Sequence, residues 1–349
     1  MAARPHRIPV LRHSAEMATD KLTAELKSWA DFANSAKWES LLLGNGASRA
    51  VWQQFDYPSL FDIACELPPR ERLSPEDVRL FQQLANTKNF EAVLASLLTT
   101  QTVATALDLQ PLDRIKQRYS SVQKALVAAV HRVHIPWSAI PSPTLLSIRK
   151  SLLDYDYVFS TNYDLLVYWS IMADEAADFR DYFWGGPFDS SNTEIWGKAT
   201  RVLYLHGALH LYYDADGLTY KEHSQDFGNL LDLFGKRSDG VPLCITEGTA
   251  LQKMTAIGRS DYLWYAFQQF ANRQGPMVLL GQALGDSDRH LADAIAREPN
   301  RLLAVGIFPV DEPHLKRQQA HFLQLLPNAE IHFFDSRSHP LGDPRLLIQ

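Results

Sequence analysis

Two cysteines in 349 residues, Cys65 and Cys244, exclude a disulfide framework. They also exclude a zinc module, which takes about four Cys/His ligands at close spacing. Long hydrophobic runs are missing: none approaches the roughly 18–20 residues that span a bilayer. The opening stretch MAARPHRIPVLRHS is basic but has no apolar core of a signal peptide. A basic excess is absent as well. The net charge of −6 argues against a general nucleic-acid binder and leaves room only for a local basic patch. No repeat, low-complexity tract or long linker occurs. These absences predict a cytoplasmic protein with buried thiols, no membrane segment and no direct nucleic-acid binding. What is present is core-forming material: 46% hydrophobic residues and 11% aromatics, enough for one large domain or two modest ones.

Periodicity divides the chain. Leu22, Leu26, Trp29 and Phe32 predict a helix over 15–35. Leu41-Leu42-Leu43, closed by Gly44, reads as a first strand. From 65 to 152 strand signals vanish and helical spacing takes over, in 76–106 and in 112–134. This helical insertion returns through Ser142-Pro143, read as a serine cap followed by proline in the first helical position. Beyond it, strands (Tyr157–Ser160, Val202–Leu205, Leu243–Thr246, Met277–Leu280, Leu302–Phe308, Ile331–Phe334) alternate with helices (164–175, 259–273, 287–298, 312–325). The alternation predicts an α/β fold: a mostly parallel sheet with helices on both faces. A single domain over 1–349 is expected, with its core in 36–64 and 153–349 and the insertion in 65–152.

Four motifs close apolar runs: LLLGNGAS (41–48), VFSTNYD (158–164), VLYLHGALH (202–210) and VLLGQALGDSD (278–288). Loops beyond the carboxyl ends of parallel strands converge on one crevice, so the four are expected to line one pocket. Gly44 and Gly46 let the backbone turn sharply and approach a diphosphate, whose oxygens loop N–H groups can cradle. A tight turn without ligand reads equally well from this loop alone, and Arg49 is either a phosphate partner or a solvated cation. Asn162 offers both a donor and an acceptor, suited to a ribose hydroxyl or a water. Asp164 either accepts from a hydroxyl or caps the next helix. His206, beside Gly207, is placed as a base at a strand tip, with His210 and His223 as competitors. Asp286 or Ser287 is expected to cap the helix after the last motif. The Ile245–Thr249 stretch with Glu247 and Lys253 forms a further strand-tip loop of unassigned role. Trp264 and Tyr265 read as core or interface.

Taken in order, GxGxS, TNYD, HG and GxxxGDxD resemble the sirtuin-like superfamily, and within it the zinc-less bacterial branch of antiviral defence. The resemblance covers about 41–64 and 155–290. It implies a Rossmann-like sheet binding NAD, with catalysis by Asn162 and His206 and no metal. Gly44, Asn45, Gly46, Ala47 and Ser48 match the loop near the dinucleotide, Thr161 and Asp164 the second motif, and Gly281 and Asp286 the late loop on the ribose side. Asn45 stands where sirtuins usually carry alanine. The four-cysteine module of the protein deacylases is missing, which weighs against peptide deacylation. The implied activity is hydrolysis of the nicotinamide–ribose bond by an NAD-depleting defence effector. Control is implied to come from a homo-oligomer or a separate protein, such as a HerA-type ATPase; the apolar, aromatic-rich helical segment 76–134 is the expected contact surface. The rivals are a non-catalytic NAD or ADP-ribose sensor and an NAD-dependent deacylase or ADP-ribosyl transferase.

Overall fold

The computed structural model describes residues 22, 25–56, 59–84, 87–174, 176–183, 185–191, 199–214, 216–222, 230–233, 240–245 and 248–349. Short apolar runs build a seven-stranded parallel sheet from β1 (Ser40–Leu43), β2 (Tyr157–Ser160), β3 (Phe179–Arg180), β4 (Thr200–Tyr204), β8 (Met277–Leu280), β9 (Leu302–Ile307) and β10 (Glu330–Asp335). The order is β10-β9-β8-β1-β2-β4-β3. β1 and β8 are buried at every residue, as expected for strands covered on both faces. The chain lays strands outward on one side of β1 and then returns to add β8, β9 and β10 on the other. The order therefore reverses between β1 and β8, the place where an open α/β sheet opens a crevice at its carboxyl edge.

A second, three-stranded antiparallel sheet, β6-β5-β7, comprises β5 (Gly207–Asp214), β6 (Thr219–Lys221) and β7 (Gly240–Cys244). The strand expected at Leu243–Thr246 belongs here, not in the main sheet, and Thr246 lies outside the described residues. β4 passes directly into β5 through Gly207, whose φ of +77 is left-handed. A Cβ there would sit 1.9 Å from Leu243 O, so both the turn and the contact require glycine.

Between β1 and β2 the chain is helical: Asn45–Val51, Leu60–Glu66, Pro75–Gln83, Phe90–Ala106, Leu112–Val133 and Ser142–Leu152. Trp52 Nε1 donates to Val133 O at 3.1 Å. Leu165 N donates to His134 Nε2 at 3.0 Å. These bonds tie the insertion to the loops after β1 and β2.

Two expected features differ. Residues 15–21 and 23–24 of the helix placed at 15–35 lie outside the described residues. In the described part a single 3-10 turn, Trp29–Asp31, follows a Ser28–Asp31 capping box, and Lys27 is extended and bridges Phe334. Ser142 is the first helical residue, not the cap. Pro141, extended at ψ 136, holds the cap position without a side-chain bond, and its carbonyl accepts from Thr144 N at 3.0 Å.

Candidate active site

A cavity of about 210 Å³ lies beyond the carboxyl ends of β1, β2, β4 and β8. Asn45, Thr161, Asn162, Tyr163, Asp164, His206, Lys253, Gln282 and Asp288 give it polar groups, while Phe55, Leu60 and Ile245 form an apolar wall.

Asn162 is buried and its amide is strongly held. Nδ2 donates to Gly44 O at 3.0 Å and to Ser48 Oγ at 2.8 Å. A carbonyl only accepts, so the nitrogen must face Gly44 and the orientation of the amide is settled by chemistry. Ser48 Oγ passes its own hydrogen to Asp164 Oδ2 at 2.5 Å, and Asp164 Oδ1 accepts from Leu166 N at 2.9 Å. Burial raises the Asp164 carboxyl above its ordinary value, against the opposing bond from Ser48. Of the two expected roles, Asp164 fills the first, accepting a hydrogen bond from a hydroxyl; the cap position of the next helix is held by Leu165 without a side-chain bond, and Asp164 accepts only from the helix's first N–H. With Nδ2 committed, Oδ1 is the end of Asn162 left for a ligand.

Thr161 joins three strands. Its N and Oγ1 both donate to Leu43 O, at 2.9 and 3.1 Å, and its Oγ1 accepts from Gln282 Nε2 at 3.1 Å. Gly44, Gly46 and Gly281 are packed on one another. Gly46 N donates to Gly281 O at 2.9 Å, and Ala47 N donates to Gly44 O at 3.0 Å. A Cβ on Gly281 would lie 2.2 Å from Ala47 N. The close approach that these glycines permit is therefore made here by backbone to backbone.

His206 stands between β4 and β5, and its carbonyl accepts from Ile245 N at 2.7 Å. Its Nε2 lies 3.0 Å from His290 Nε2. One hydrogen occupies that line, so the two neutral rings carry opposite tautomers at Nε2. Asp288 Oδ1 is 3.9 Å from His206 Nε2 and accepts from Lys253 Nζ at 2.6 Å. Burial pushes His206 well below the ordinary histidine value, helped by the Lys253 charge. It lowers His290 to about 4 against the attraction of Asp288. Both rings are neutral at pH 7. Ligand atoms of His206, Asp288 and His290 all lie within 4.8 Å of one another.

Of the residues singled out in the sequence, Asn45, Thr161, Asn162, Asp164 and His206 line the cavity. Gly44, Gly46, Ala47, Ser48 and Gly281 form its supporting backbone and hydrogen bonds. Asp286 is exposed and lies outside the lining. Neither Asp286 nor Ser287 caps a helix: Gly285 and Asp288 hold the cap positions without side-chain bonds. The Asp288 carboxylate is turned to Lys253 instead. His210 is buried on β5, stacked 4.4 Å from Tyr168, while His223 and Glu247 lie outside the described residues. Residues that sequence reasoning did not place are Lys253, Gln282, Asp288 and His290. Gln282 and Asp288 were inside a quoted motif, and His290 follows two positions later.

Fold and cavity together define a doubly wound α/β protein with a polar, histidine-bearing cavity at the carboxyl ends of its strands. The chain belongs to the family described as "Domain of unknown function (DUF4917)", whose model matches residues 41–341. No curated protein matches it in sequence. Among solved structures, a Sir2 histidine-to-alanine variant with deacetylated p53 peptide and 3'-O-acetyl ADP-ribose is similar at 12% identity and TM-score 0.38, covering 91% of this chain and 95% of that one. Sir2 bound to acetylated peptide is similar at 10% identity and TM-score 0.36, covering 91% and 94%. Likeness at this distance transfers no residue role.

Proposed function

We propose that the chain is an NAD glycohydrolase, cleaving the nicotinamide–ribose bond with water to give nicotinamide, ADP-ribose and a proton. One observation carries the reading: Asn162 and His206, from the ends of two different strands, line the same cavity. The apolar wall of Phe55, Leu60 and Ile245 suits the nicotinamide ring. As that ring leaves, positive charge builds on the ribose. Asn162 Oδ1 accepts a hydrogen bond from a ribose hydroxyl or the attacking water and fixes its position. His206, neutral near pH 7, takes the proton. When its Nε2–H is given to His290, the nitrogen left for this task is Nδ1. Asp288 stands near enough to attract the imidazolium that forms. These steps use only side chains of this chain.

We place the activity in antiviral defence, silent until a homo-oligomer or a partner such as a HerA-type ATPase assembles. That part rests on the motif resemblance alone. The test is to incubate purified protein, alone and with the product of a neighbouring gene, with NAD and to measure free nicotinamide. Release is expected from the wild type and background levels from Asn162→Ala and His206→Ala. Tight NAD binding without nicotinamide under every condition favours a sensor, and consumption that requires an acylated peptide favours a deacylase.

A further inference from the structure

We propose that His206, Asp288 and His290 bind one divalent transition-metal cation of the zinc class, and that its occupancy shuts off the histidine base. The shut-off rests on the hydrolase reading; the site does not.

The three residues come from the end of β4, the loop after β8 and the helix Arg289–Ile295. The two Nε2 atoms are 3.0 Å apart. A cation ligated at about 2.0–2.2 Å holds neighbouring ligands about 2.8–3.1 Å apart in octahedral and about 3.3–3.6 Å apart in tetrahedral geometry. The imidazoles already have the octahedral separation. Asp288 Oδ1, at 3.9 Å from His206 Nε2, has to close by less than about 1 Å to meet the same range. Both rings are neutral, so a cation displaces only the one hydrogen between them. Because His206 and Asp288 line the cavity, the remaining coordination positions open toward it and can hold water.

Lys253 Nζ, 2.6 Å from Asp288 Oδ1, is the competitor. In the metal-free protein it supplies the positive charge beside the carboxylate, and a cation has to share or take that carboxylate. The effect on the reaction follows from the ring itself. A neutral imidazole has one lone-pair nitrogen, and ligation through Nε2 consumes it and fixes a hydrogen on Nδ1. His206 then cannot accept a proton at either atom.

The test is calorimetric titration of the full chain with zinc chloride, with nicotinamide release measured across the same range. One equivalent is expected to bind. Asp288→Asn and His290→Gln are expected to weaken binding at least about 10-fold, the size that even outer-shell partners contribute. Lys253→Met is expected to tighten it. Cobalt(II) added to the wild type is expected to show visible absorption bands of nitrogen–oxygen coordination, a readout that depends on no variant. Zinc is expected to suppress nicotinamide release at the occupancy midpoint. Unchanged zinc affinity in both weakening variants, the absence of saturable one-to-one binding, or full activity with zinc bound overturns the proposal. If the metal data behave as expected and no condition yields nicotinamide, the site stands and the hydrolase reading falls.

Discussion

Four of the five histidines buried among the described residues fall into two regions that treat the ring differently. At the seam between the helical insertion and the sheet, His134 Nδ1–H donates to Ile135 O at 2.8 Å while Nε2 accepts from Leu165 N at 3.0 Å. Near the C-terminus, His339 Nδ1 accepts from Leu341 N at 3.1 Å, leaving Nε2–H for Tyr155 Oη at 2.9 Å. Each of these rings spends both nitrogens, and its neighbours dictate the tautomer. In the cavity His206 and His290 spend one nitrogen each on the other, and His290 Nδ1 is buried without a partner. Burial lowers all four, His134 and His290 to about 4 and His339 to about 3. Desolvation therefore does not separate the two regions. A ring with both nitrogens bonded acts as a strut; one with a nitrogen in reserve can exchange a proton.

That distinction can be broken by experiment. The largest expected effect is on His206→Ala, which should lower nicotinamide release about 10²–10⁴-fold, the contribution of a positioned base, while the protein melts much as the wild type does. Gly207→Ala attacks the same ring through its support. The left-handed φ and the 1.9 Å contact with Leu243 O predict a loss of about 2–5 kcal/mol in urea unfolding. His134→Ala should do the reverse of His206→Ala: about 1–3 kcal/mol of stability is lost because Leu165 N–H is left buried and unbonded, with turnover per folded molecule retained. If His134→Ala abolishes turnover in protein that is still folded, the division into strut and base is wrong.

The smallest effect is graded with pH. Folded values of His134, His290 and His339 lie below the unfolded value of about 6.5, so the unfolded chain binds more protons in between. Their stability contribution is therefore complete above about pH 6.5 and is lost as pH falls toward about 4. Asp164, raised by burial, works in the opposite sense: its contribution is lost as pH rises. Urea midpoints should fall between about pH 7.5 and 5, and His134→Gln should remove part of that slope. A flat profile would show that these rings are not held neutral.

Most of the parallel sheet was legible because each strand is a short apolar run ended by glycine or a polar residue. Met277–Leu280 and Tyr157–Ser160 are found at their expected bounds. The antiparallel sheet was not separated out, although Asp214 with Gly217 at φ +82 is a turn signal between alternating residues. Asn162 and His206 were singled out because they sit at strand tips, and only the motif resemblance set His206 above His210. Lys253 was named without a role and expected with a strand-tip loop; it lies in the helix Ala250–Ile257, where a lysine ordinarily faces solvent, yet it is buried and bonded to Asp288. Asp288 was hidden by a local rule: short acidic residues before a helix usually cap it, and here Lys253 takes the carboxylate. His290 carries no periodic mark that separates it from a core residue.

The backbone contact among Gly44, Gly46 and Gly281 has a mechanical consequence. With main chain resting on main chain across the β1 and β8 ends, these loops form one stiff jaw with no side chain between them to yield. A cavity of about 210 Å³ is below the roughly 300–1,000 Å³ usual for bound ligands, so a whole dinucleotide needs it to widen. Elsewhere in the wall the join is made by side chains: Lys253, on the helix Ala250–Ile257, is clasped to Asp288, while Ala256 and Ile257 root that helix in the core.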